Sequence, residues 1–253
     1  MDSMPQPLEN EFGTLARWTH EAVRELGRRY AVPAACRGSG TPSALDWLLA
    51  RLAPAPGDRM LDVGAGLGGP AAYARDRRGL RPVCVDPMRA ACDATAALFG
   101  LPAMVGDAAR LPFADTSFSA AWSLGTLCTT SSKGEWLAEM SRVLSVGAPL
   151  GLLVVVSTSA TFRTSWGNEF PSEAELAGLV SAAGFEVTDQ AWSDDCPDAD
   201  QSWREAEQAV EAAIRRRHER DPRFAGVRQQ DARMTELLDS GRVRGRLLVA
   251  RAR

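Results

Sequence analysis

An apolar strand that runs directly into four glycines constrains the fold of this chain more than any other feature. Residues 60–70 read Met-Leu-Asp-Val-Gly-Ala-Gly-Leu-Gly-Gly-Pro. A strand ending in Gly64, Gly66 and Gly68 can turn sharply, and the missing Cβ atoms let the backbone lie against a ligand. The helix that follows offers unpaired N–H groups and a positive dipole end to a phosphate or carboxylate. We therefore expect a strand–turn–helix unit that binds a nucleoside-containing cofactor.

Two cofactor patterns overlap at this turn. Gly64, Gly66 and Gly69 satisfy the dinucleotide pattern G-x-G-x-x-G, which is a weak signal by itself. Residues 62–68 also satisfy an acidic-x-G-x-G-x-G pattern, in which Asp62 is the acidic residue. The glycines leave both interpretations open, so the rest of the chain must discriminate between them.

The composition favours a small-molecule partner. The chain has 253 residues and a formal net charge of −3, whereas a nucleic-acid-binding domain is expected to have a basic face. The five cysteines are scattered without C-x-x-C spacing, which indicates neither a disulfide framework nor a zinc site. No signal-peptide pattern and no run of 18 apolar residues occurs. We therefore expect a cytoplasmic protein with no metal, no nucleic-acid partner and no membrane partner, while its oligomeric state stays open.

Strand and helix patterns alternate from about residue 59 to residue 156. The pattern predicts strands near 59–63, 82–86, 102–105, 118–124 and 149–156, and helices near 68–78, 88–99 and 133–145. Such alternation predicts an α/β fold with right-handed crossovers, a mainly parallel sheet and helices on both faces. Ligands of such sheets bind outside the carboxyl ends of the strands.

Two of these strand ends carry an acidic residue. Asp86 follows the second strand, 22 residues after Gly64, where a carboxylate can accept hydrogen bonds from both ribose hydroxyls. Nicotinamide-dependent enzymes also have an acid at this place, so Asp86 does not discriminate between cofactors. Asp107 follows the third strand, where it either contacts the cofactor or caps the next turn.

The later motifs discriminate between the two cofactors. Residues 111–118 read Leu-Pro-Phe-Ala-Asp-Thr-Ser-Phe, and residues 139–148 resemble E-x-x-R-V-L-x-P-G-G with Val146 and Ala148 as departures. Together with the glycine turn, the Gly106-Asp107-Ala108 segment and residues 170–187, they resemble the class I S-adenosylmethionine-dependent methyltransferases over about residues 59–187. Residues 68–71, Gly-Gly-Pro-Ala, resemble the corresponding segment of a subgroup of small-molecule methyltransferases that includes enzymes acting on sterols, prenyl diphosphates and sugars.

This resemblance implies a fold, a cofactor and a set of contacts. The fold is a Rossmann-like sheet of seven strands in which the seventh is antiparallel, and the cofactor is S-adenosyl-L-methionine, with S-adenosyl-L-homocysteine as product. In the implied reaction the methyl group moves by in-line displacement to a C, N or O atom of a small metabolite. The expected cofactor contacts are Asp62, Gly64, Ala65, Gly66, Gly68, Asp86, Pro87, Met88, Asp107, Ala108, Ser123 and Leu124.

The ends of the chain lie outside the matched region and are expected to bind the substrate. We predict a single domain, 1–253, with an N-terminal helical cap at 1–40 and a cofactor-binding core at 41–192. A helical insertion at 193–240 precedes the last strand at 241–253. An insertion at the carboxyl-end rim is well placed to form a lid, and the alternative is an amphipathic cover over the sheet.

Several residues near these ends are candidates for the site. Arg37 and Ser39 precede a helix and carry donors suited to the methionine carboxylate of the cofactor; the alternative is that the segment is a flexible linker. His20 is the candidate general base. The candidate substrate contacts are Trp18, Trp122, Gly125, Thr126 and Cys128; for the two tryptophans, burial in the core is the alternative.

We therefore predict a methyltransferase that acts on a small metabolite in bacterial secondary-metabolite biosynthesis. Lys133 is the single lysine among 29 basic residues, a bias typical of GC-rich bacterial genomes. The alternatives are an NAD(P)-dependent oxidoreductase and a non-catalytic protein that binds S-adenosylmethionine.

Overall fold

The computed structural model describes residues 6–253, with side chains from residue 11 onwards, so the first five residues of the predicted cap lie outside the described part. The strands are β1 (Arg59–Val63), β2 (Arg81–Asp86), β3 (Ala103–Val105), β4 (Ala120–Leu124), β5 (Pro149–Ser157), β6 (Phe162–Arg163), β7 (Glu169–Phe170), β8 (Phe185–Trp192) and β9 (Val243–Ala252). The helices are α1 (Gln6–Leu26), α2 (Ala31–Ala35), α3 (Pro42–Leu52), α4 (Gly69–Arg78), α5 (Arg89–Phe99), α6 (Lys133–Val143), α7 (Glu173–Ala182), α8 (Gln201–His218) and α9 (Pro222–Asp239).

The main sheet has seven strands in the order β3-β2-β1-β4-β5-β9-β8. Strands β1 to β5 pair in parallel, and β9 runs antiparallel between β5 and β8. The predicted α/β fold with an antiparallel last strand is therefore confirmed. From β1 the chain proceeds through β2 to β3 at one edge of the sheet, and from β4 it proceeds through β5 towards the other edge. This reversal of direction between β1 and β4 creates the crevice in which α/β proteins bind ligands.

Two apolar layers cover the sheet. Every residue of β4 is buried, as expected for a strand with helices on both faces. On one face Leu61 and Val63 pack with Leu137 and Met140 of α6. On the other face Met60 packs with leucines of α3, whose N-terminus is capped by the Thr41 side chain and carries proline at its first position.

A third cluster joins the N-terminal helix to the insertion before β9. Ala22 and Val23 of α1 pack with Val210 and Ile214 of α8 and with Val227 of α9. Trp18 belongs to the same cluster, where its ring stacks on His218 at a centroid distance of 4.5 Å. The structure thus corrects the assignment of Trp18 to the substrate pocket, because its side chain packs between helices.

A short hairpin, β6–β7, follows β5 and was not predicted from the sequence. Phe162 and Phe170 pair across it with ring centroids 5.3 Å apart. The buried ammonium of Lys133 lies 2.8 Å from the Glu169 carboxylate and attaches the hairpin to α6. Within the part of the chain that the structure describes, no helix combines the length and apolar character needed to cross a membrane.

Candidate active site

The turn between β1 and α4 uses its three alternate glycines in different ways. All three have positive φ: 73° at Gly64, 53° at Gly66 and 75° at Gly68. A Cβ on Gly64 would lie 2.5 Å from Thr126, and a Cβ on Gly68 would lie 2.5 Å from Thr95. A Cβ on Gly66 would meet no atom within 4 Å. Packing therefore requires Gly64 and Gly68, whereas Gly66 borders open space where a ligand can lie.

The N-terminal segment packs closely against this turn and against the end of β4. A Cβ on Gly69 would lie 2.4 Å from the Ala35 backbone, and a Cβ on Gly125 would lie 2.2 Å from the carbonyl oxygen of Gly38. Gly69 thus serves helix packing and not ligand contact. The close approach at Gly125 holds the loop that carries Arg37 and Ser39 over the carboxyl end of the sheet.

Asp86 at the end of β2 orders the turn from the side. Its Oδ2 accepts a hydrogen bond of 2.8 Å from the Gly66 N–H, and its Oδ1 accepts one of 2.9 Å from the Met88 N–H. Burial raises the pKa of Asp86 to about 6, although both backbone hydrogen bonds oppose that rise. A carboxylate has about four lone-pair sites, so Asp86 keeps acceptor capacity for a ligand hydroxyl.

A cavity of about 320 Å³ lies above these residues. Its walls come from the ends of β1, β2, β4 and β5, from α1, from the loop at 36–40 and from α9. Since neighbouring strands lie about 4.8 Å apart, β2 and β5 are separated by about 14 Å. The cavity therefore has one half beside Gly66 and Asp86 and a second half beside Val155 of β5.

The second half is largely apolar, with a polar corner. Trp136, Val155, Met234 and Leu238 contribute apolar surface. The corner is formed by Cys128, Asn168 and Gln230. Burial raises the pKa of the Cys128 thiol to about 11, so the thiol stays protonated at neutral pH and is a poor nucleophile.

The cavity brings together most of the residues singled out in the sequence. The predicted contacts that line it are Arg37, Ser39, Gly64, Ala65, Gly66, Asp86, Pro87, Met88, Leu124, Gly125, Thr126 and Cys128. Arg37 also forms an ion pair with Asp231 of α9, which joins the loop to the helical insertion.

Several other predicted contacts lie outside the cavity walls. Trp122 is fully buried among the residues under α3, and Asp62 is buried opposite it on the neighbouring strand. Ser123 uses its hydroxyl within the sheet, where it donates to the Val63 carbonyl at 2.9 Å. Gly68 and Ala108 are buried in packing contacts.

His20 and Asp107 also lie outside the cavity walls. His20 lines a separate surface groove between α1 and α5, so the structure does not support it as a base for chemistry in the cavity. Asp107 is exposed, and its Oδ1 accepts a hydrogen bond of 2.9 Å from the Ala109 N–H. The turn-capping alternative is therefore observed, and a contact with the cofactor stays a prediction.

The structure adds two carboxyl and two amide side chains that sequence reasoning missed. Glu11, Asn168, Gln230 and Asp231 all line the cavity, although they come from three separate parts of the chain and belong to no motif. Burial, followed by the negative charge of Asp231, raises the pKa of Glu11 to about 7. Glu11 is thus a carboxyl group in the cavity that can exchange a proton near neutral pH.

Comparison with known proteins agrees with this geometry. Residues 61–152 match the family model described as a methyltransferase domain. An uncharacterized methyltransferase of Mycobacterium tuberculosis is 36% identical over 161 residues, which cover 61% of this chain and 58% of the relative. An O-methyltransferase of Penicillium expansum, cnsE, is 28% identical over 154 residues, 55% of this chain and 56% of the relative. The chain thus spans less than two thirds of the length of these curated relatives.

Solved structures share the fold over most of the chain. The [4+2]-cyclase SpnF has a TM-score of 0.67 and 24% identity, covering 85% of this chain and 84% of that chain. Geranyl diphosphate C-methyltransferase from Streptomyces coelicolor, solved with S-adenosyl-L-homocysteine, has a TM-score of 0.61 and 16% identity, covering 83% and 78%. These findings support S-adenosylmethionine over a nicotinamide as the cofactor. Residues 61–152 form a methyltransferase domain, and the chain shares its fold with solved S-adenosylmethionine-dependent methyltransferases.

Proposed function

We propose that this chain transfers a methyl group from S-adenosylmethionine to a C, N or O atom of a small, largely apolar metabolite. The observation that carries the proposal is one continuous cavity that joins the glycine turn and Asp86 to an apolar half beside β5. Cofactor and acceptor can therefore lie side by side under one cover.

The residues of the first half fit the cofactor. The open space at Gly66 admits the ligand against the backbone, and Asp86 offers acceptor capacity for ribose hydroxyls. Arg37 and Ser39 lie on the loop above and supply donors for a carboxylate. Asp107, at the end of β3, is the proposed contact to the adenine amino group.

When bound, S-adenosylmethionine would supply an activated methyl group; the bond from acceptor to methyl carbon would form as the carbon–sulfur bond breaks, which would leave the sulfur neutral. This chain's own residues must align the acceptor and exclude water, and such positioning supplies several kcal/mol of the barrier. Residues 193–240 contribute α8 and α9, and α9 closes the cavity from above. We propose this segment as the lid and residues 1–40 as the cap.

A base is needed only where the acceptor atom carries a proton. Glu11 replaces His20 as the candidate, because its carboxyl lines the cavity and has a pKa raised by burial to about 7. At that pKa a substantial fraction of Glu11 is ionised at neutral pH and can accept a proton.

We also propose a role in bacterial secondary-metabolite biosynthesis; the names of bacterial and fungal relatives support the reaction, methyl transfer. One relative, GfsG of Streptomyces halstedii, is called a methyltransferase and is 32% identical over 117 residues. Two fungal relatives are called O-methyltransferases. A small-molecule acceptor is supported in the same way by the geranyl diphosphate and phosphoethanolamine enzymes among the structural neighbours.

Calorimetry tests the cofactor assignment. The protein should bind S-adenosylmethionine and S-adenosylhomocysteine, and it should bind neither NAD nor NADP. Binding of a nicotinamide cofactor alone would overturn the proposal.

A second measurement tests methyl transfer itself. Because one structural neighbour is named a [4+2]-cyclase, the fold alone does not establish the reaction. Incubation with methyl-labelled S-adenosylmethionine and a small-molecule extract should release S-adenosylhomocysteine and label an extractable product. A protein that binds the cofactor but leaves it intact with every extract would be a binding protein or an enzyme of another class.

A further inference from the structure

Three side chains form a hydrogen-bonded relay at the polar corner of the cavity. The Nδ2 of Asn168 donates to the carbonyl oxygen of Cys128 at 3.4 Å. The Nε2 of Gln230 donates to the Oδ1 of Asn168 at 3.0 Å. Asn168 is 2% exposed and Gln230 is 9% exposed. The relay thus joins the turn after β4, the β6–β7 hairpin and helix α9 in a nearly dry environment.

The direction of this relay is determined by its first member. A backbone carbonyl can only accept a hydrogen bond, so the group of Asn168 that faces Cys128 must be its NH2. The Oδ1 of Asn168 then faces Gln230, which must present its own NH2 in return. The carbonyl oxygen Oε1 of Gln230 is left outside the relay as an acceptor with a set orientation.

Hydrogen bonds on both sides of Asn168 hold this residue in place. Its backbone N–H donates to the Thr164 hydroxyl at 3.0 Å. The next residue, Glu169, accepts a hydrogen bond of 2.8 Å from the buried Lys133 ammonium. Because the hairpin is held on both sides of Asn168, the Asn168 side chain stays within hydrogen-bond distance of Cys128 and Gln230.

We propose that Gln230 is a specificity-determining residue whose Oε1 accepts a hydrogen bond from a hydroxyl or N–H group of the methyl acceptor. This inference rests on the proposed function, and it narrows the acceptor to an apolar molecule with one such donor. Gln230 lines the cavity together with Val155, Met234 and Leu238. A buried acceptor among apolar groups discriminates strongly, because a ligand without the donor leaves it unpaired.

Matched ligand pairs test the proposal. The probes are 2-naphthol with 2-methoxynaphthalene, and indole with 1-methylindole; in each pair the second member lacks the donor. Calorimetry with protein saturated with S-adenosylhomocysteine should show about tenfold tighter binding of the donor-bearing member in at least one pair. Gln230→Met keeps the length of the side chain, removes the carbonyl oxygen and should reduce that ratio to about threefold or less.

Gln229→Met is the matched control, because Gln229 is exposed on the same helix; this variant should keep the wild-type ratio. Thermal unfolding of both variants separates a loss of recognition from a loss of folding. An unchanged ratio in Gln230→Met would overturn the proposal, as would failure of every probe to bind while S-adenosylhomocysteine binds normally. Failure of S-adenosylhomocysteine to bind would instead overturn the proposed function, on which this inference depends.

Discussion

Asp62 and Trp122 lie directly opposite one another on the neighbouring parallel strands β1 and β4. Both side chains are buried, and neither the Asp62 Oδ2 nor the Trp122 Nε1 has a partner of ordinary hydrogen-bond geometry. Burial raises the pKa of Asp62 to about 7; the nearby indole N–H lowers it and the charge of Asp86 adds to the rise. A carboxyl group beneath the glycine turn is therefore protonated in a substantial fraction of molecules at neutral pH.

This burial makes stability depend on pH. The folded-state pKa of Asp62 lies above the ordinary value of 3.8, so the folded protein retains a proton that the unfolded chain releases. The associated stability is complete below about pH 4 and is lost as the pH rises through 7. Asp62→Asn removes this dependence. Urea denaturation at pH 5 and at pH 8 gives the free energy of unfolding of the variant minus that of the wild type. This difference should be about 1 to 3 kcal/mol larger at pH 8 than at pH 5. A difference that is the same at both pH values would contradict the prediction.

Gly66→Ala should weaken cofactor binding without unfolding the protein. An alanine there has a positive φ, which costs about 1 to 2 kcal/mol, but its Cβ meets no protein atom within 4 Å. It extends into the ligand space, so the dissociation constant for S-adenosylmethionine should rise by about tenfold to a hundredfold. Gly100→Ala is the matched control, because Gly100 has φ 64° and equally open surroundings at the end of α5. Equal cofactor affinity in both variants would remove Gly66 from the site.

Asp86→Ala should weaken S-adenosylmethionine binding by about 1.5 to 3 kcal/mol, the range for hydrogen bonds to charged groups. The loss has two sources, since Asp86 holds the Gly66 N–H and offers acceptors to the ribose. Asp93→Ala, on the exposed face of the following helix, should leave the affinity unchanged. Calorimetry compares the two variants, and an unaltered affinity in Asp86→Ala would exclude a cofactor contact.

Lys133→Met should destabilise the protein by about 1 to 3 kcal/mol, because it leaves Glu169 partly buried with one partner fewer. Burial raises the pKa of Glu169, yet hydrogen bonds from Lys133 and Arg163 outweigh it and hold that pKa below its ordinary value. Arg163→Met removes the exposed partner of the same carboxylate and should cost under about 1 kcal/mol. Denaturant unfolding measures both losses. Equal losses would show that the buried Lys133–Glu169 ion pair stabilises the protein no more than the exposed Arg163–Glu169 pair does.

The parts of the site that were predicted are encoded locally. Gly66 and Asp86 follow their strands directly, so the strand pattern places both at the carboxyl edge of the sheet. The same logic failed for Trp122, because a strand residue one position earlier or later faces the opposite side. Trp122 packs in the cluster that contains α3, while its neighbour Ala121 packs in the cluster on the opposite face, which contains α6.

Helix α1 shows what helical periodicity in the sequence can and cannot predict about the site. Phe12, Leu15, Ala16 and Thr19 line the cavity, which is the spacing of one helical face. His20 follows Thr19 by about 100° of rotation and so lies in a different groove, beside Leu98 of α5. Amphipathic periodicity indicates that a face is buried, but it does not say whether that face covers a ligand or another helix.

By itself the sequence determined the strand–turn–helix unit, the parallel core and the family to which the methyltransferase domain belongs, because these depend on residues adjacent in the chain. Only the tertiary structure brought Glu11, Asn168 and Gln230 into one cavity, since more than 150 residues separate the first from the other two and no spacing rule links them. Their meeting depends on how α1, the β6–β7 hairpin and α9 pack over the carboxyl edge of the sheet. The glycine turn thus identifies where the cofactor belongs, and the packing of distant helices decides what lies beside it.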